Sequence, residues 1–404
     1  MASEQSSPVL RRRVFYIPGY DPIHPRRYRE LYRKESAAQA AISGYEIAIT
    51  PRKADRYGWD VSAVIDGSGT RSEIEVLVWS DIVRDSMSNT IPATYLQLAR
   101  TAWTYIASGT LRRLMWMRKG PVIAALYPVG MLIGQLVAAL LLAWAAGALV
   151  AWISPWNALG WVVAIPVIVL TLRWFKSKDG KLYAYYLMHD YAHSAQHRGA
   201  YPDDLDRRLT EFTRIIARAL GDEVDEVLVV GHSSGAHLGV SILADLIRQN
   251  RVPANGPALS FLSLGQVVPM VSFLPKADRL RADLHFLSQR DELTWIDVTA
   301  PGDGCAFALC DPVAVSGVAP RNKKWPLVVS AAFTQTLAPE TWKALRWRFF
   351  RLHFQYLCAF DRPGDYDYFQ ITAGPKTLGQ RYAGRNPSQS RIDVPASRYT
   401  SMAA

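Results

Sequence analysis

The chain has 404 residues, of which 50% are hydrophobic and 20% are charged, and this composition excludes an intrinsically disordered protein. The three cysteines, Cys305, Cys310 and Cys358, cannot all pair, so the sequence also excludes a disulfide-stapled scaffold. The net charge of +11 is typical of proteins that bind nucleic acid or an anionic membrane. Because basic clusters flank the most apolar stretch and no nucleic-acid-binding motif is present, we predict a membrane partner and no nucleic-acid partner.

The N-terminal part of an α/β domain is predicted over residues 1–120. Runs of β-branched and aromatic residues predict short strands at residues 14–17, 45–50, 59–65 and 73–79. Helical composition follows the first strand at residues 26–42. It returns at residues 91–117, which lead directly into the apolar stretch.

A transmembrane helical hairpin is predicted at residues 121–175. Residues 121–153 carry no charged side chain, and after a break at residues 154–157 the apolar pattern resumes. Both stretches reach the length of roughly 20 residues that a membrane-spanning helix needs. Lysines and arginines flank the hairpin on both sides, whereas its connection carries no charge. The positive-inside rule therefore predicts two spans with the rest of the chain in the cytoplasm. The alternative is a buried hairpin in the core of a soluble domain.

The C-terminal part of the same domain is predicted over residues 176–372. An amphipathic helix at residues 205–220 precedes a strand at residues 226–230 and a helix at residues 236–248. Further strands are expected near residues 258–264, 293–299 and 327–333. This alternation predicts a mostly parallel sheet with helices on both faces. Residues 373–404 lack periodicity and are rich in Gly, Ser, Pro and Arg, which predicts a flexible tail.

One turn carries a motif for nucleophilic chemistry. Residues 231–235 read Gly-His-Ser-Ser-Gly, a G-x-S-x-G motif centred on Ser233 between a predicted strand and a predicted helix. A nucleophile on such a sharp turn needs small neighbours, because the strand and the helix pass close together. The helix also points its N-terminal amides toward an oxyanion beside Ser233. The motif alone is weak, and its alternative is a glycine-rich nucleotide-binding turn, but no G-x-G-x-x-G is present there.

In this context the chain resembles the α/β-hydrolase superfamily. The resemblance is carried by the Gly-His-Ser-Ser-Gly turn, the strand–helix alternation, and the segment Phe-Tyr-Ile-Pro-Gly-Tyr-Asp-Pro at residues 15–22. It implies an α/β-hydrolase fold interrupted by the hairpin, with Ser233 as the nucleophile. It also implies an oxyanion hole formed by the backbone N–H groups of Tyr20 and Ser234. The chain departs from the family because its extra strands follow residues 15–22 instead of preceding them.

The family's chain order of nucleophile, acid and histidine implies the rest of a catalytic triad. Asp303 is the acid that we expect, because it lies just past a predicted strand in a Gly-Asp-Gly turn. Asp311 and Asp297 are the alternatives, and any of the three could instead form a turn or cap a helix. His353 is the only histidine that follows these acids, so it is the expected base. Its surroundings are typical of a helix, whereas the family places the base on a loop.

Two further patterns bear on ligands. His189, His193 and His197 recur at every fourth residue, but no carboxylate completes a metal site. We interpret them as a polar helix face and predict neither a metal nor a cofactor. Residues 342–352 combine aromatic and basic side chains at helical spacing. We interpret this segment as an interfacial helix that borders the substrate entrance, with a core helix as the alternative.

The expected function is that of a membrane-anchored serine hydrolase. A carboxylic ester or thioester, lipid-like in view of the anchor, would acylate Ser233, and water or another alcohol would release the acyl group. The alternative is a non-catalytic membrane adaptor that keeps the hydrolase fold and docks a partner, because a fold does not establish a function. The two differ in whether Ser233, an acid and His353 converge.

Overall fold

An eight-stranded sheet forms the centre of the part of the protein that the structure describes. The computed structural model describes residues 7–52, 56–87, 90–156 and 158–403. The strands, in chain order, are β1 (Arg11–Ile17), β2 (Glu46–Pro51), β3 (Gly58–Ile65), β4 (Ser68–Val76), β5 (Glu226–His232), β6 (Ala258–Leu264), β7 (Leu293–Thr299) and β8 (Leu327–Ser330). Their order across the sheet is β2-β3-β4-β1-β5-β6-β7-β8.

The sheet is mixed but mostly parallel. Strands β4, β1, β5, β6, β7 and β8 pair in parallel, whereas β2 and β3 add an antiparallel edge next to β4. On β5, Val227 and Val229 pack on one face of the sheet, and Leu228 and Val230 pack on the other. A strand that is buried on both faces is a continuous apolar run, as β5 is. The predicted α/β class and mostly parallel sheet are therefore confirmed.

Helices cover both faces of this sheet. In chain order they are α1 (Arg26–Ser43), α2 (Ser80–Ser86), α3 (Ile91–Ala107), α4 (Thr110–Met117), α5 (Lys119–Ile153), α6 (Ala158–Ser177), α7 (Asp179–Leu182), α8 (Ala184–Gln196), α9 (Asp203–Ala219), α10 (Gly235–Arg248), α11 (Val268–Ser272), α12 (Asp278–Leu287), α13 (Pro312–Val315), α14 (Phe333–Thr336), α15 (Pro339–Leu345), α16 (Phe349–His353), α17 (Tyr368–Ala373) and α18 (Leu378–Arg381). Helices α9, α10 and α12 contribute to the core on one face, and α1 and α17 contribute to the core on the other. The apolar stripe predicted from the sequence is the buried side of α9, where Leu205, Leu209, Phe212 and Ile216 lie.

Two helices are long and apolar enough to span a membrane. They are α5, with 35 residues, and α6, with 20 residues, and only 11% of the most apolar stretch of each is buried. The tryptophans Trp144, Trp152 and Trp161 are each at least 74% exposed, unlike the side chains of a core helix. The two helices contact each other at Gly147 and Gly160, where a Cβ atom on Gly160 would lie 2.8 Å from the carbonyl oxygen of Gly147.

The structure differs from the sequence predictions in several elements. The helix predicted at residues 91–117 is divided into α3 and α4 at Gly109, whose φ of +72° ends the first helix. The segment from residue 373, expected to be a flexible tail, forms α18 and then hydrogen-bonds to the body of the protein through Ile392 and Ala396. Asn157, part of the predicted break between the spans, lies outside the described residues.

Candidate active site

Ser233 occupies a strained turn between the central strand and a helix. Strand β5 ends at His232 and α10 begins at Gly235, so the chain reverses within two residues. Ser233 has a φ of +57°, a conformation that costs a residue with a side chain about 1–2 kcal/mol. Its backbone N–H donates to the carbonyl oxygen of Leu264 at 2.9 Å, and its carbonyl accepts from the N–H of Ala236 at 3.1 Å. These two bonds hold the hydroxyl at the carboxyl end of the sheet, as in a nucleophile elbow.

The two glycines of the motif permit the close approach of neighbouring backbone. A Cβ atom on Gly235 would lie 2.1 Å from the carbonyl oxygen of Ile17, the last residue of β1. A Cβ atom on Gly231 would lie 2.6 Å from the carbonyl oxygen of Gly235. No side chain fits at either position, so the glycines are a steric requirement of this turn.

The loop after β1 lies directly beside Ser233. A Cβ atom on Gly19 would lie 3.0 Å from the Cβ atom of Ser233. The indole N–H of Trp79 donates to the carbonyl oxygen of Pro18 at 2.9 Å, and the hydroxyl of Tyr186 donates to the carbonyl oxygen of Tyr20. These contacts fix the loop in place from two sides.

The backbone N–H groups expected to form an oxyanion hole are those of Tyr20 and Ser234. Among the hydrogen bonds of residues 7–52, 56–87, 90–156 and 158–403, neither group donates to a protein acceptor. Both residues line the same cavity as Ser233. Free donors beside a candidate nucleophile are what an oxyanion hole requires.

Asp303 and His353 form a buried hydrogen-bonded pair. The Nδ1 atom of His353 lies 2.7 Å from Oδ2 of Asp303, which assigns the proton to Nδ1 and leaves Nε2 as a lone-pair acceptor in the neutral ring. Asp303 also accepts from the hydroxyl of Tyr356 at 3.0 Å and from the backbone N–H of Cys305 at 2.8 Å. Three donors therefore satisfy a carboxylate that is 2% exposed.

His232 supports the position of His353 from the nucleophile turn. Its Nε2 atom donates to the backbone carbonyl oxygen of His353 at 3.0 Å, and the two ring centroids are 4.9 Å apart. Burial, followed by the nearby charge of His353, lowers the pKa of His232 to about 3. His232 is therefore neutral at physiological pH and acts as a fixed hydrogen-bond donor.

The two alternative acids lie elsewhere. Asp297 is in the middle of β7 and accepts a hydrogen bond from the hydroxyl of Ser263, and burial raises the pKa of Asp297 to about 8. Asp311 accepts from the backbone N–H groups at the start of α13 and forms an ion pair with Lys323 at 2.7 Å. Neither carboxylate hydrogen-bonds to a histidine among the described residues, so Asp303 is the acid that the structure brings to His353.

Ser233 and His353 line one cavity without a hydrogen bond between them. The cavity has a volume of about 1310 Å³. The Nε2 atom of His353 is buried and has no hydrogen-bond partner among the described residues. An orphaned buried nitrogen costs about 1–3 kcal/mol, and a hydroxyl that approaches from the cavity would recover this cost. Catalytic hydrogen bonds are often long before substrate binds, so the geometry is compatible with a triad.

Residues at the ends of the two apolar helices line the cavity. Pro121, at the start of α5, and Asp179, just after α6, line it together with Ser233. The segment predicted as one interfacial helix forms the two short helices α15 and α16, and Arg348, between them, also lines the cavity. Trp347 is 73% exposed. We call residues 346–351 the basic-aromatic rim of the cavity.

The structure corrects the interpretation of two of the three histidines. On α8, His189 and His193 are buried instead of forming a solvated polar face. His189 Nδ1 lies 2.7 Å from the side-chain oxygen of Gln97, and the ring of His193 packs against Tyr20 at 5.6 Å. Burial lowers the pKa of both histidines to about 4. They are neutral packing residues of α8, not a surface.

A different group of side chains has the spacing of metal ligands. One ligand atom from each of Asp303, Cys305 and His353 lies within 4.8 Å of the other two. Burial raises the pKa of the Cys305 thiol, so this sulfur is protonated and a poor metal ligand. Because Asp303 and His353 already hydrogen-bond to each other, the group is better suited to proton transfer than to metal binding.

Sequence reasoning missed three residues that shape the site: Tyr356, Tyr186 and Asp190. Tyr356 comes three residues after His353, a spacing that can bring two side chains to one side of a helical turn. Tyr186 and Asp190 lie on α8, which follows the apolar helices in the sequence. No local motif connects them to the site, so the sequence does not predict them.

Comparisons of the chain with protein-family models, with curated proteins and with solved structures found no match. The chemistry of the site therefore follows from its own residues. A serine on a strained turn, free amide donors beside it, and an imidazole fixed by a carboxylate are the parts that acyl transfer requires.

Proposed function

We propose that this protein is a membrane-anchored serine hydrolase that cleaves a carboxylic ester or thioester. The observation that carries the proposal is the 2.7 Å hydrogen bond between His353 and Asp303 beside the cavity that Ser233 also lines. The order of these three residues along the chain matches that of the α/β-hydrolase superfamily, which the sequence resembles.

The reaction proceeds through an acyl-enzyme. The Nε2 atom of His353 takes the proton of Ser233 as the serine oxygen attacks the carbonyl carbon of the substrate. The N–H groups of Tyr20 and Ser234 stabilise the negative oxygen of the tetrahedral intermediate, and Asp303 stabilises the imidazolium. The bond to the leaving group breaks as His353 returns the proton to the departing alcohol or thiol. Water then attacks the acylated serine by the same steps in reverse, and an alcohol in its place would give acyl transfer.

The proposed substrate is lipid-like. At about 1310 Å³, the cavity exceeds the range of roughly 300–1,000 Å³ that is common for small-molecule pockets. Tyrosine and phenylalanine side chains are among its lining residues, and its rim carries arginines and exposed aromatic rings. A basic, aromatic rim suits the surface of an anionic bilayer, from which an acyl chain can enter an apolar cavity.

The proposed anchor is the pair α5 and α6. Helix α5 is about 50 Å long at 1.5 Å per residue, longer than the hydrocarbon core of a bilayer. Its N-terminal part packs on α8 through Leu132, so only the remainder is available to the membrane. The basic residues on both flanks favour a cytoplasmic location for the domain.

The test is covalent labelling of the membrane fraction with a fluorophosphonate probe. The wild-type protein, Ser233→Ala and His353→Ala would be compared, with Ser194→Ala as a matched control because Ser194 also lines the cavity. We expect labelling of the wild type and the control, and its loss in the other two variants. Thermal unfolding of each variant in detergent would establish that it is folded.

A second function is favoured by one observation, the missing hydrogen bond between Ser233 and His353 Nε2. A protein that only keeps the fold, and docks a partner at the membrane, does not need this bond. Absence of labelling in folded wild-type protein, both in membranes and in detergent, would contradict the hydrolase proposal and favour this adaptor.

A further inference from the structure

Asp190 is an unpaired carboxyl group in the wall of the candidate active-site cavity. It lies on α8, on the same cavity as Ser233 and His353, and is partly accessible from it. Among the described residues it forms no hydrogen bond or ion pair through its side chain. A carboxyl group that is only partly exposed and has no protein partner is available to a ligand in the cavity.

The surroundings of Asp190 are aromatic. Burial and, second, the negative charge of Asp190 raise the pKa of Tyr105, Tyr186 and Tyr191. All three tyrosines line the cavity, and Tyr20 lines it as well. Together with Asp190 these tyrosines form what we call the acidic-aromatic wall. Tyrosine rings attract cations through their faces, and this attraction increases when water is removed.

Within the part of the chain that the structure describes, no lysine or arginine forms an ion pair with Asp190, and Arg27 acts on the wall only by lowering the pKa of Tyr186. Burial raises the pKa of Asp190 to about 7, and the nearby charge of His353 opposes this rise. In a chain of net charge +11, a carboxyl group left without a basic partner beside the candidate catalytic histidine is a distinctive feature. A cation from a ligand would favour the ionised carboxylate and supply the missing partner.

We propose that the acidic-aromatic wall binds an amine or quaternary ammonium group of the substrate, so that the ester is one with a cationic head. The proposal deepens the proposed function and rests on it for the ester. The residues of the basic-aromatic rim are exposed, whereas those of the acidic-aromatic wall are buried or half-buried, and the two surfaces have opposite charge preferences. The cation-binding wall therefore selects the part of the substrate that enters the cavity.

Binding can be measured separately from turnover. Ser233→Ala protein in a non-ionic detergent would be titrated calorimetrically with hexanoylcholine and with 3,3-dimethylbutyl hexanoate, which replaces the ammonium nitrogen with carbon. We expect the cationic ester to bind about tenfold more tightly, and the preference to disappear in Ser233→Ala/Asp190→Asn. Asparagine has the shape of the protonated carboxyl group, so we expect this variant to fold. Asp190→Ser provides a second removal of the charge.

Glu30→Gln, in the Ser233→Ala background, is the matched control. Glu30 lines the same cavity but pairs with Arg29 and Arg33, so we expect its removal to leave the preference intact. Equal affinity for the two esters, or a preference that survives in the Asp190 variants, would overturn the proposal. Failure of the proposed function would look different, because the ammonium preference would persist in a wild-type protein that neither reacts with the fluorophosphonate nor hydrolyses either ester.

Discussion

At the scale of single residues, Asp303 offers a direct test of the proposed triad. Its carboxylate accepts the proton on His353 Nδ1, whereas the amide nitrogen of an asparagine in its place can only donate. In Asp303→Asn the imidazole would therefore adopt the wrong tautomer, with Nε2 protonated and unable to act as a base. We expect kcat for a soluble fluorogenic ester to fall about 10⁴-fold, the loss expected when a Ser-His-Asp triad holds the wrong imidazole tautomer.

The matched control for this variant is Asp297→Asn. Burial raises the pKa of Asp297 to about 8, so its carboxyl group is mostly protonated at pH 7 and resembles an asparagine. The asparagine oxygen can still accept the hydrogen bond from Ser263. We expect kcat to remain within about twofold of the wild type. Similar losses in the two variants would contradict the assignment of Asp303 as the acid.

The residues that the sequence could predict are those tied to a motif or to chain order. Ser233 follows from the Gly-x-Ser-x-Gly turn, and Asp303 and His353 were proposed from their positions after later strands. The hydrogen bond between the last two agrees with that choice, whereas their catalytic role stays a prediction. Tyr186 contacts the loop at Tyr20 from 166 positions along the chain, and such a contact leaves no local pattern.

At the scale of elements, the basic-aromatic rim joins the cavity to the surface. Phe350 packs against Tyr183, between α7 and α8, with ring centroids 5.9 Å apart. Arg348 and Arg351 line the cavity, and the guanidinium of Arg346 lies 5.6 Å from the ring centre of Trp347. This arrangement combines positive charge with rings that can enter the headgroup region of a bilayer.

Neutralising the rim should affect lipid access but not the chemistry at Ser233. In the triple variant Arg346→Gln, Arg348→Gln and Arg351→Gln, we expect activity on a lipid ester in anionic vesicles to fall about tenfold. Each basic residue contributes about 1 kcal/mol near such a surface, and only part of this is realised at one site. Activity on a soluble short-chain ester should be unchanged.

The control for the rim removes the same charge elsewhere. Arg207, Arg214 and Arg218 are exposed on α9 and do not line the cavity, so the variant with glutamine at all three positions should retain activity on vesicles. Equal losses on vesicles and on the soluble ester in the rim variant would overturn the access role. If the α9 variant lost as much activity on vesicles as the rim variant, the loss would depend on net charge and not on the position of the arginines.

The strongly periodic elements were predictable, and the contact-dependent ones were not. Helix α9 is predicted by the spacing of its apolar residues. The division between α3 and α4 depends on the backbone conformation of Gly109, which the apolar pattern does not reveal. The last residues lack periodicity, yet Ile392 and Ala396 donate backbone hydrogen bonds to Leu309 and Val315. Backbone pairing of this kind does not depend on side-chain composition. A prediction from composition therefore misses it and gives a loose tail.

At the scale of the whole molecule, the sheet and the apolar helices differ in how far their apolar side chains are covered by the rest of the protein. The sheet is covered by helices on both faces, whereas α5 and α6 expose most of their apolar side chains. Hydropathy predicted both helices because it does not depend on tertiary contacts. It could not predict that the N-terminal part of α5 packs on α8, or that Pro121 lines the cavity, since these depend on how the chain folds.

The orientation of the proposed anchor can be tested with single cysteines. Ser154 follows the end of α5, and Ser177 is the last residue of α6, so two spans place them on opposite sides of the membrane. We expect a membrane-impermeant maleimide to label Ser154→Cys in intact cells, and Ser177→Cys only after permeabilisation. The basic flanks set this direction, because translocating their lysines and arginines is unfavourable.

The control is the wild-type protein, which we expect to stay unlabelled in intact cells. In this arrangement its three cysteines lie on the cytoplasmic side; they are Cys305, Cys310 and Cys358. Labelling of Ser177→Cys alone in intact cells would reverse the orientation. If both variants reacted only after permeabilisation, α5 and α6 would not span the bilayer, and the cavity would face the membrane from a protein bound at its surface.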